Sequence, residues 1–298
     1  MRRPDSTDLM LLTTVFIWAF GITVTRYALT HGFEPLAFAS IRYGGAALLT
    51  AVLALAIERS LALHGRRNAL FVVLAAGFLL LNQLCFVYAL RLTSATTVAL
   101  ILGTTPVFTA LISFAVGLER PSPRLWLGAV VTFAGVALVA VGAGGGLSSD
   151  LGGDLLAIGL AATWAAYSVT IAPLMRSHSP YRISAVVLLA MIVPFALVSS
   201  GQIGDQNYGD LGWLVWLGLA YAIIGPLAVT NLLWFTAIDR VGPSRASLFA
   251  NLQPFLAAAI AALVLSEHLS PLEVVGGFAI LCGILLERRL PSLAGTGE

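Results

Sequence analysis

Long apolar runs alternate along this chain with short segments rich in Arg, Pro, Gly and Ser. Each run is about twenty residues, the length a helix needs to cross a bilayer. Apolar length and these breaks together predict ten membrane-spanning helices, at about 8–30, 35–57, 68–91, 94–118, 123–142, 153–175, 180–199, 211–238, 243–265 and 271–286. Between the fifth and sixth, Gly144-Gly145-Gly146-Leu147-Ser148-Ser149 reads as a flexible linker. The expected fold class is an all-α integral membrane protein with short loops and no room for a soluble domain.

Composition supports this reading. Of the 298 residues, 59% are hydrophobic and 10% charged, and the mean hydropathy is +0.94. A soluble domain carries about a quarter charged residues, so the surface of this chain must face lipid. Every basic residue is Arg, and their distribution gives an orientation. The two termini and every second loop hold Arg2, Arg3, Arg59, Arg66, Arg67, Arg120, Arg124, Arg176, Arg182, Arg240, Arg245, Arg288 and Arg289, which is 13 of the 16 arginines. Arg26 and Arg91 fall near external helix ends, and Arg42 lies within the second span. This positive-inside asymmetry predicts that both termini are cytoplasmic. The first apolar run is too long for a removable signal peptide and no small-residue cleavage site follows a short h-region. Cys85 and Cys282 sit inside apolar runs without metal or pairing spacing and read as small core residues.

The chain also repeats itself. An offset of 148 places Gly77 on Gly225, Pro106 on Pro254, Glu119 on Glu267, Pro123 on Pro271, Gly128 on Gly276 and Gly135 on Gly283. An offset of 146 places Trp18 on Trp164. Five spans per half is an odd number, so the second half is expected upside down relative to the first. Inverted repeats of this kind characterise secondary transporters, with the substrate site near the midplane between the halves.

Several ordered motifs resemble the EamA domain of the drug/metabolite transporter superfamily. They are Phe16-Ile17-Trp18-Ala19-Phe20-Gly21, Glu34-Pro35, Ile41-Arg42-Tyr43, Pro106-Val107-Phe108 and Gly117-Leu118-Glu119, followed by Gly128 and Gly135. Trp164, Pro180, Pro254, Glu267, Pro271 and Gly276 repeat the set more loosely. The resemblance implies a first EamA repeat over 1–143, a linker over 144–152 and a second repeat over 153–298. It further implies an exporter of amino acids or related metabolites, similar to the YddG-type exporters of aromatic amino acids, in a prokaryotic inner membrane. Val187 stands where the first half has Arg42, so the role of Arg42 is not duplicated.

Polar groups within spans are costly and often functional. Asn82 and Gln83 are adjacent in the third span, with Phe86 one turn on; the repeat places Thr230, Asn231 and Trp234 at the equivalent positions. Gly103 pairs with Asn251, and Thr105 with Gln253. With Trp18, Trp164 and Tyr167 these residues are expected to line a central cavity of amides and aromatic walls, suited to a zwitterion with an apolar or aromatic side chain. The alternative for the amides is cross-linking of helices, and for the indoles a place in the interfacial belt. Arg42, about 10 Å deep at 1.5 Å per residue, is either a counter-charge for a substrate carboxylate, a snorkelling side chain or a partner of helix-end carbonyls. Pro106 and Pro254 fall mid-span and are expected to bend their helices, as gates or as static kinks. Glu119 and Glu267 read as helix caps or as partners of Arg120 and His268. The glycines of the fifth and tenth spans permit close packing, within the chain or in a homodimer.

Absences narrow the mechanism. No Asp or Glu falls near the centre of a predicted span, and His31, His64, His178 and His268 all fall in loops. Arg cannot release a proton at working pH, so facilitated diffusion or exchange is expected rather than proton antiport. No P-loop or HExxH motif is present, so neither an ATP-driven pump nor an enzyme is expected. The reading calls for a small-molecule substrate and a lipid bilayer, and for no cofactor, metal or nucleic acid. Other classes are a drug exporter, a nucleotide-sugar carrier, which would need several basic groups, and a non-transporting receptor.

Overall fold

A computed structural model describes residues 6–92, 98, 101–142, 150–265 and 270–288. Glu267, His268 and the linker residues 144–149 lie outside them. The described residues form helices and connecting turns, with no strand among them. In order these are α1 (Ser6–Thr30), α2 (Pro35–Glu58), α3 (Arg66–Leu92), α4 (Thr105–Ala115), α5 (Pro123–Gly142), α6 (Leu151–Met175) and α7 (Pro180–Asp205). They continue with α8 (Trp213–Ile223), a π-helical segment (Ile224–Val229), α9 (Thr230–Val241), α10 (Pro243–Ala250), α11 (Gln253–Leu265) and α12 (Pro271–Arg288).

Helix starts follow the local chemistry. Pro35, Pro180 and Pro243 open α2, α7 and α10, where a missing N–H costs nothing because the first turn has no partner for it. The Asp150 carboxylate accepts from Gly153 N at 2.7 Å to cap α6, and Ser179 Oγ accepts from Arg182 N at 3.2 Å to cap α7. Gly242, at φ 81°, takes the left-handed conformation that separates α9 from α10.

Among the described residues, seven helices have the length and apolar content to cross a membrane: α1, α2, α3, α5, α6, α7 and the continuous helix Trp213–Val241. Thr105–Ala115 and Pro271–Leu286 are shorter apolar helices. The outer surface is apolar. Leu48, Val52, Val73, Phe114, Val130 and Leu197 are each more than 60% exposed, a pattern that water would penalise and lipid accommodates.

Packing interleaves the two halves of the chain. The tightest pairings are α5 with α12, α3 with α6, and α2 with α7. Helix α1 packs on α8, α9 and α11, and α6 packs on α3 and α4. Thus the first helix of each half lies against the helices of the other. The α5–α12 crossing is set by glycines: a Cβ on Gly128 would lie 2.8 Å from Gly283 O, and one on Gly135 2.7 Å from Gly276 O. Because Gly128 corresponds to Gly276 and Gly135 to Gly283, the contact has the reciprocal form of a two-fold axis. The glycines of the fifth and tenth predicted spans are therefore taken up inside the chain.

Candidate functional site

Three indoles meet at the centre of the main hydrophobic core. The Trp18 ring lies 5.4 Å from Trp164 and 5.1 Å from Trp234, and Trp164 lies 6.1 Å from Trp234. Tyr167 extends the cluster, 5.6 Å from Trp164 and 6.3 Å from Phe235. Aromatic pairs at such spacings contribute about 0.5–1.5 kcal/mol each beyond their burial. Trp18 Nε1 donates to Pro226 O at 3.2 Å and to Thr230 Oγ1 at 3.0 Å, and Thr230 Oγ1 donates to the same Pro226 carbonyl. The π segment leaves that carbonyl free for Trp18, because Thr230 N bonds Gly225 O in place of Pro226 O. Trp234 is fully buried and its Nε1 has no acceptor. The indoles of Trp18 and Trp164 thus belong to the interior and not to an interfacial belt.

A polar relay runs beside this core. Arg42 Nη2 on α2 donates to Gln83 Oε1 at 3.2 Å; Gln83 Nε2 donates to Asn82 Oδ1 at 3.1 Å; Asn82 Nδ2 donates to Leu160 O on α6 at 2.9 Å. The guanidinium also lies over the rings of Tyr43 (5.2 Å) and Phe38 (5.6 Å). Its Nε is buried without a hydrogen-bond partner, and no carboxylate lies within 4.0 Å of it among the described residues. An uncompensated charge at membrane depth costs several kcal/mol, so this cation is a standing demand for an anion. Gln83 and the two rings hold it within the helix bundle.

The fourth and ninth predicted spans are interrupted at equivalent places. α4 begins after a turn at Gly103-Thr104, and α11 after a turn at Asn251-Leu252. Pro106 and Pro254 then occupy the first turn of the helix that follows. The expected bend is thus a break, in which proline opens a new helix rather than distorting a continuous one. The carbonyls of Ile101, Leu102 and Gly103 at the first break are satisfied. Thr104 Oγ1 donates to Ile101 O, Thr105 Oγ1 to Leu102 O, and Asn251 Nδ2 to Gly103 O at 3.1 Å. Asn251 Nδ2 also donates to Thr132 Oγ1 on α5 at 2.9 Å. With no water in a bilayer core, such satisfaction is what permits a non-helical turn at this depth.

The remaining predicted residues fall in different places. Asn82 and Asn251 cross-link helices. Asn231 is buried but makes no side-chain hydrogen bond among the described residues, and half-buried Gln253 likewise makes none. Phe86 packs with Cys85, Ala157 and Leu160, apart from the indoles.

Sequence reasoning missed the clasps at the helix ends. Glu58 at the end of α2 takes Arg182 at 2.7 Å and the Ser179 hydroxyl, both from the start of α7. At the other end, Gln206 Oε1 accepts from Glu34 N at 2.6 Å and Gln202 Oε1 from Leu36 N at 2.7 Å. Glu119, expected to cap the next helix or to pair with Arg120, instead accepts from the backbone N and hydroxyl of Ser244 at the start of α10. Only Pro226, a proline within an apolar run, gives a local signal of the π segment.

Two cavities open at the ends of the bundle. One, of about 380 Å³, is bordered by Met175, His178, Ser179, Pro180, Thr236 and Asp239. The other, of about 270 Å³, is bordered by Glu34, Pro35, Leu36, Val87, Tyr88 and Gln202. Neither is lined by the indoles or by Arg42.

A family model described as the EamA-like transporter family matches residues 5–141 and again 151–287. The uncharacterized transporter YyaM of Bacillus subtilis is 26% identical over 282 residues, covering 93% of this chain and 92% of its own. The threonine/homoserine exporter RhtA of Salmonella typhimurium is 29% identical over 149 residues, 48% of this chain and 49% of its own. A crystal structure 21% identical in sequence superposes with a TM-score of 0.80, covering 96% of this chain and 99% of that one, and shows the same fold.

Proposed function

The chain belongs to the EamA-like transporter family, a family of transporters and not of enzymes, and from that premise we propose that it exports amino acids with aromatic or large neutral side chains, and related metabolites. The proposed machine has ten spans as two inverted five-helix repeats, 1–143 and 153–298, with both termini in the cytoplasm of a cell bounded by this inner membrane. The broken fourth and ninth spans, hinged at Pro106 and Pro254, are its moving parts.

One observation carries the substrate reading: Arg42 keeps an unpaired guanidinium with a spare buried donor beside an aromatic core. A carboxylate meets the first need and an apolar or aromatic side chain the second. Arg42 is the counter-charge; Gln83, held by Asn82, orients it. Trp18, Trp164, Tyr167 and Trp234 supply apolar walls, and Asn231 and Gln253 the polar lining. Trp234 Nε1 and the Asn231 amide have hydrogen-bonding capacity left for a ligand. The partial likeness to a threonine/homoserine exporter supports amino acids as the class.

Expression in cells fed dipeptides containing Trp, Phe or Leu tests this. Faster release of the liberated amino acid, lost in Arg42→Gln, is the expected result. Unaltered release for every amino acid, with a normal amount of protein in the membrane, contradicts it and favours a drug or other metabolite.

A further inference from the structure

The two cavities sit at opposite ends of one helix. Pro180 borders the first and Gln202 the second, and the α7 segment between them is about 33 Å long at 1.5 Å per residue. They therefore open on opposite faces of the membrane. They also correspond through the internal repeat. The offset of 148 carries Tyr88, which borders one, onto Thr236, which borders the other. Glu34-Pro35 at the start of α2 corresponds to Ser179-Pro180 at the start of α7, and each pair borders its own cavity. Unrelated dents in a surface would not draw their walls from equivalent positions of two half-chains.

Each cavity also carries one carboxylate and no arginine on its border. Asp239 and Glu34 are both exposed, and neither side chain has a hydrogen bond or ion pair among the described residues. The neighbouring Arg240 is engaged elsewhere, donating to Ser6 Oγ at 3.1 Å and Thr7 Oγ1 at 3.5 Å. Thr236 gives its proton to Leu232 O at 2.7 Å and so presents its lone pairs as acceptors. The Ser179 hydroxyl is spent on Glu58 and on Arg182 N. Ser177 and His178 on the same border are engaged with each other, Oγ to Nδ1 at 2.8 Å, so Asp239 is the charged acceptor this mouth presents, on a face otherwise rich in arginine.

We infer that these cavities are the two mouths of one transport route, and that Asp239 at one and Glu34 at the other capture the ammonium group of the substrate. The inference rests on the amino-acid reading above and deepens it: carboxylates at the mouths and a lone guanidinium within match the two charges of a zwitterion. Exposed charges are screened beyond about 8 Å at physiological ionic strength. The mouth carboxylates therefore set the rate of entry more than the tightness of binding, which suits a route that must also release its load.

Counterflow of labelled leucine and tryptophan, measured from each face of oriented proteoliposomes, tests this. Asp239→Asn is expected to slow entry from its own face by about threefold or more, more than from the other face, and Glu34→Gln to show the opposite bias. Both biases are expected to fade at high salt. Equal losses from both faces, or none, with wild-type flux intact, overturn the inference and leave the amino-acid reading standing. Absence of wild-type flux defeats that reading instead, and thiol labelling then decides whether the cavities are mouths. In a Cys85→Ala/Cys282→Ala chain carrying Thr236→Cys and Tyr88→Cys, a bulky impermeant maleimide on one site should slow labelling of the other about fivefold, because holding one mouth open depopulates the other. Independent labelling of the two sites overturns it.

Discussion

A guanidinium without a carboxylate partner is held at Arg42 by Gln83 and two aromatic rings. Cation–π contacts offset about 0.5–2 kcal/mol, less than the several kcal/mol that an unpaired buried charge costs. Arg42→Gln is therefore expected to leave the thermal midpoint unchanged or raised while flux falls at least about tenfold, about 1.4 kcal/mol in barrier. A fall in midpoint that matches the loss of flux would make Arg42 structural. The amides divide in the same way. Asn82→Ala breaks the α3–α6 link and releases Gln83, and is expected to cost about 0.6–1.7 kcal/mol of stability. Asn231→Ala removes no hydrogen bond, so its expected effect is on flux with little change in stability; thermal unfolding in detergent beside a flux assay separates the two. At this scale the sequence shows which polar residues lie within spans but not their partners. In the sequence Asn82 and Asn251 fit either cavity lining or helix cross-linking, and only the structure shows their donors going to Leu160 O and Gly103 O. Nothing local in the sequence encodes a bond across 78 or 148 residues.

Among the elements, the α5–α12 crossing and the broken helices distinguish what periodic sequence reveals from what it hides. The offset glycines are visible in the sequence and imply close packing, and the structure places them backbone to backbone. Gly135→Ala would drive a methyl to 2.7 Å from Gly276 O, and is expected to lower stability by about 1–3 kcal/mol. A methyl group added at Gly44 would meet nothing within 4 Å, so Gly44→Ala is expected to be neutral or stabilising by up to about 1 kcal/mol. A matched pair of melting curves checks both. The breaks at Gly103-Thr104 and Asn251-Leu252 are not visible, because a proline that opens a helix and one that kinks it look alike in an apolar run. The first turn forms only because threonine hydroxyls and an asparagine from the other half satisfy the freed carbonyls. The π segment at Pro226 is likewise hidden, since its stabilising partner, Trp18, lies 208 residues away.

For the whole molecule, the interleaving of α1 and α6 gives two sets of helices, α3–α4–α6 and α1–α8–α9–α11. On the proposed reading, alternation between mouths is a rocking of these sets, braced by α2–α7 and α5–α12. The Glu119–Ser244 cap joins the turn after α4 to the start of α10. Among the described residues, the buried acids are Asp8 and Glu273, both in the first turn of their helices. The carboxylate of Glu273 is occupied by Ser270 N at 2.7 Å. Neither acid lies at the midplane, which supports the proposal that the gradient of the substrate itself drives transport. Counterflow of labelled aromatic and large neutral amino acids in proteoliposomes, with and without an imposed pH gradient, tests the account most directly. Flux that is saturable, competed by other amino acids and equal under both conditions is the predicted result; no amino-acid flux, or accumulation that follows the proton gradient, would contradict it.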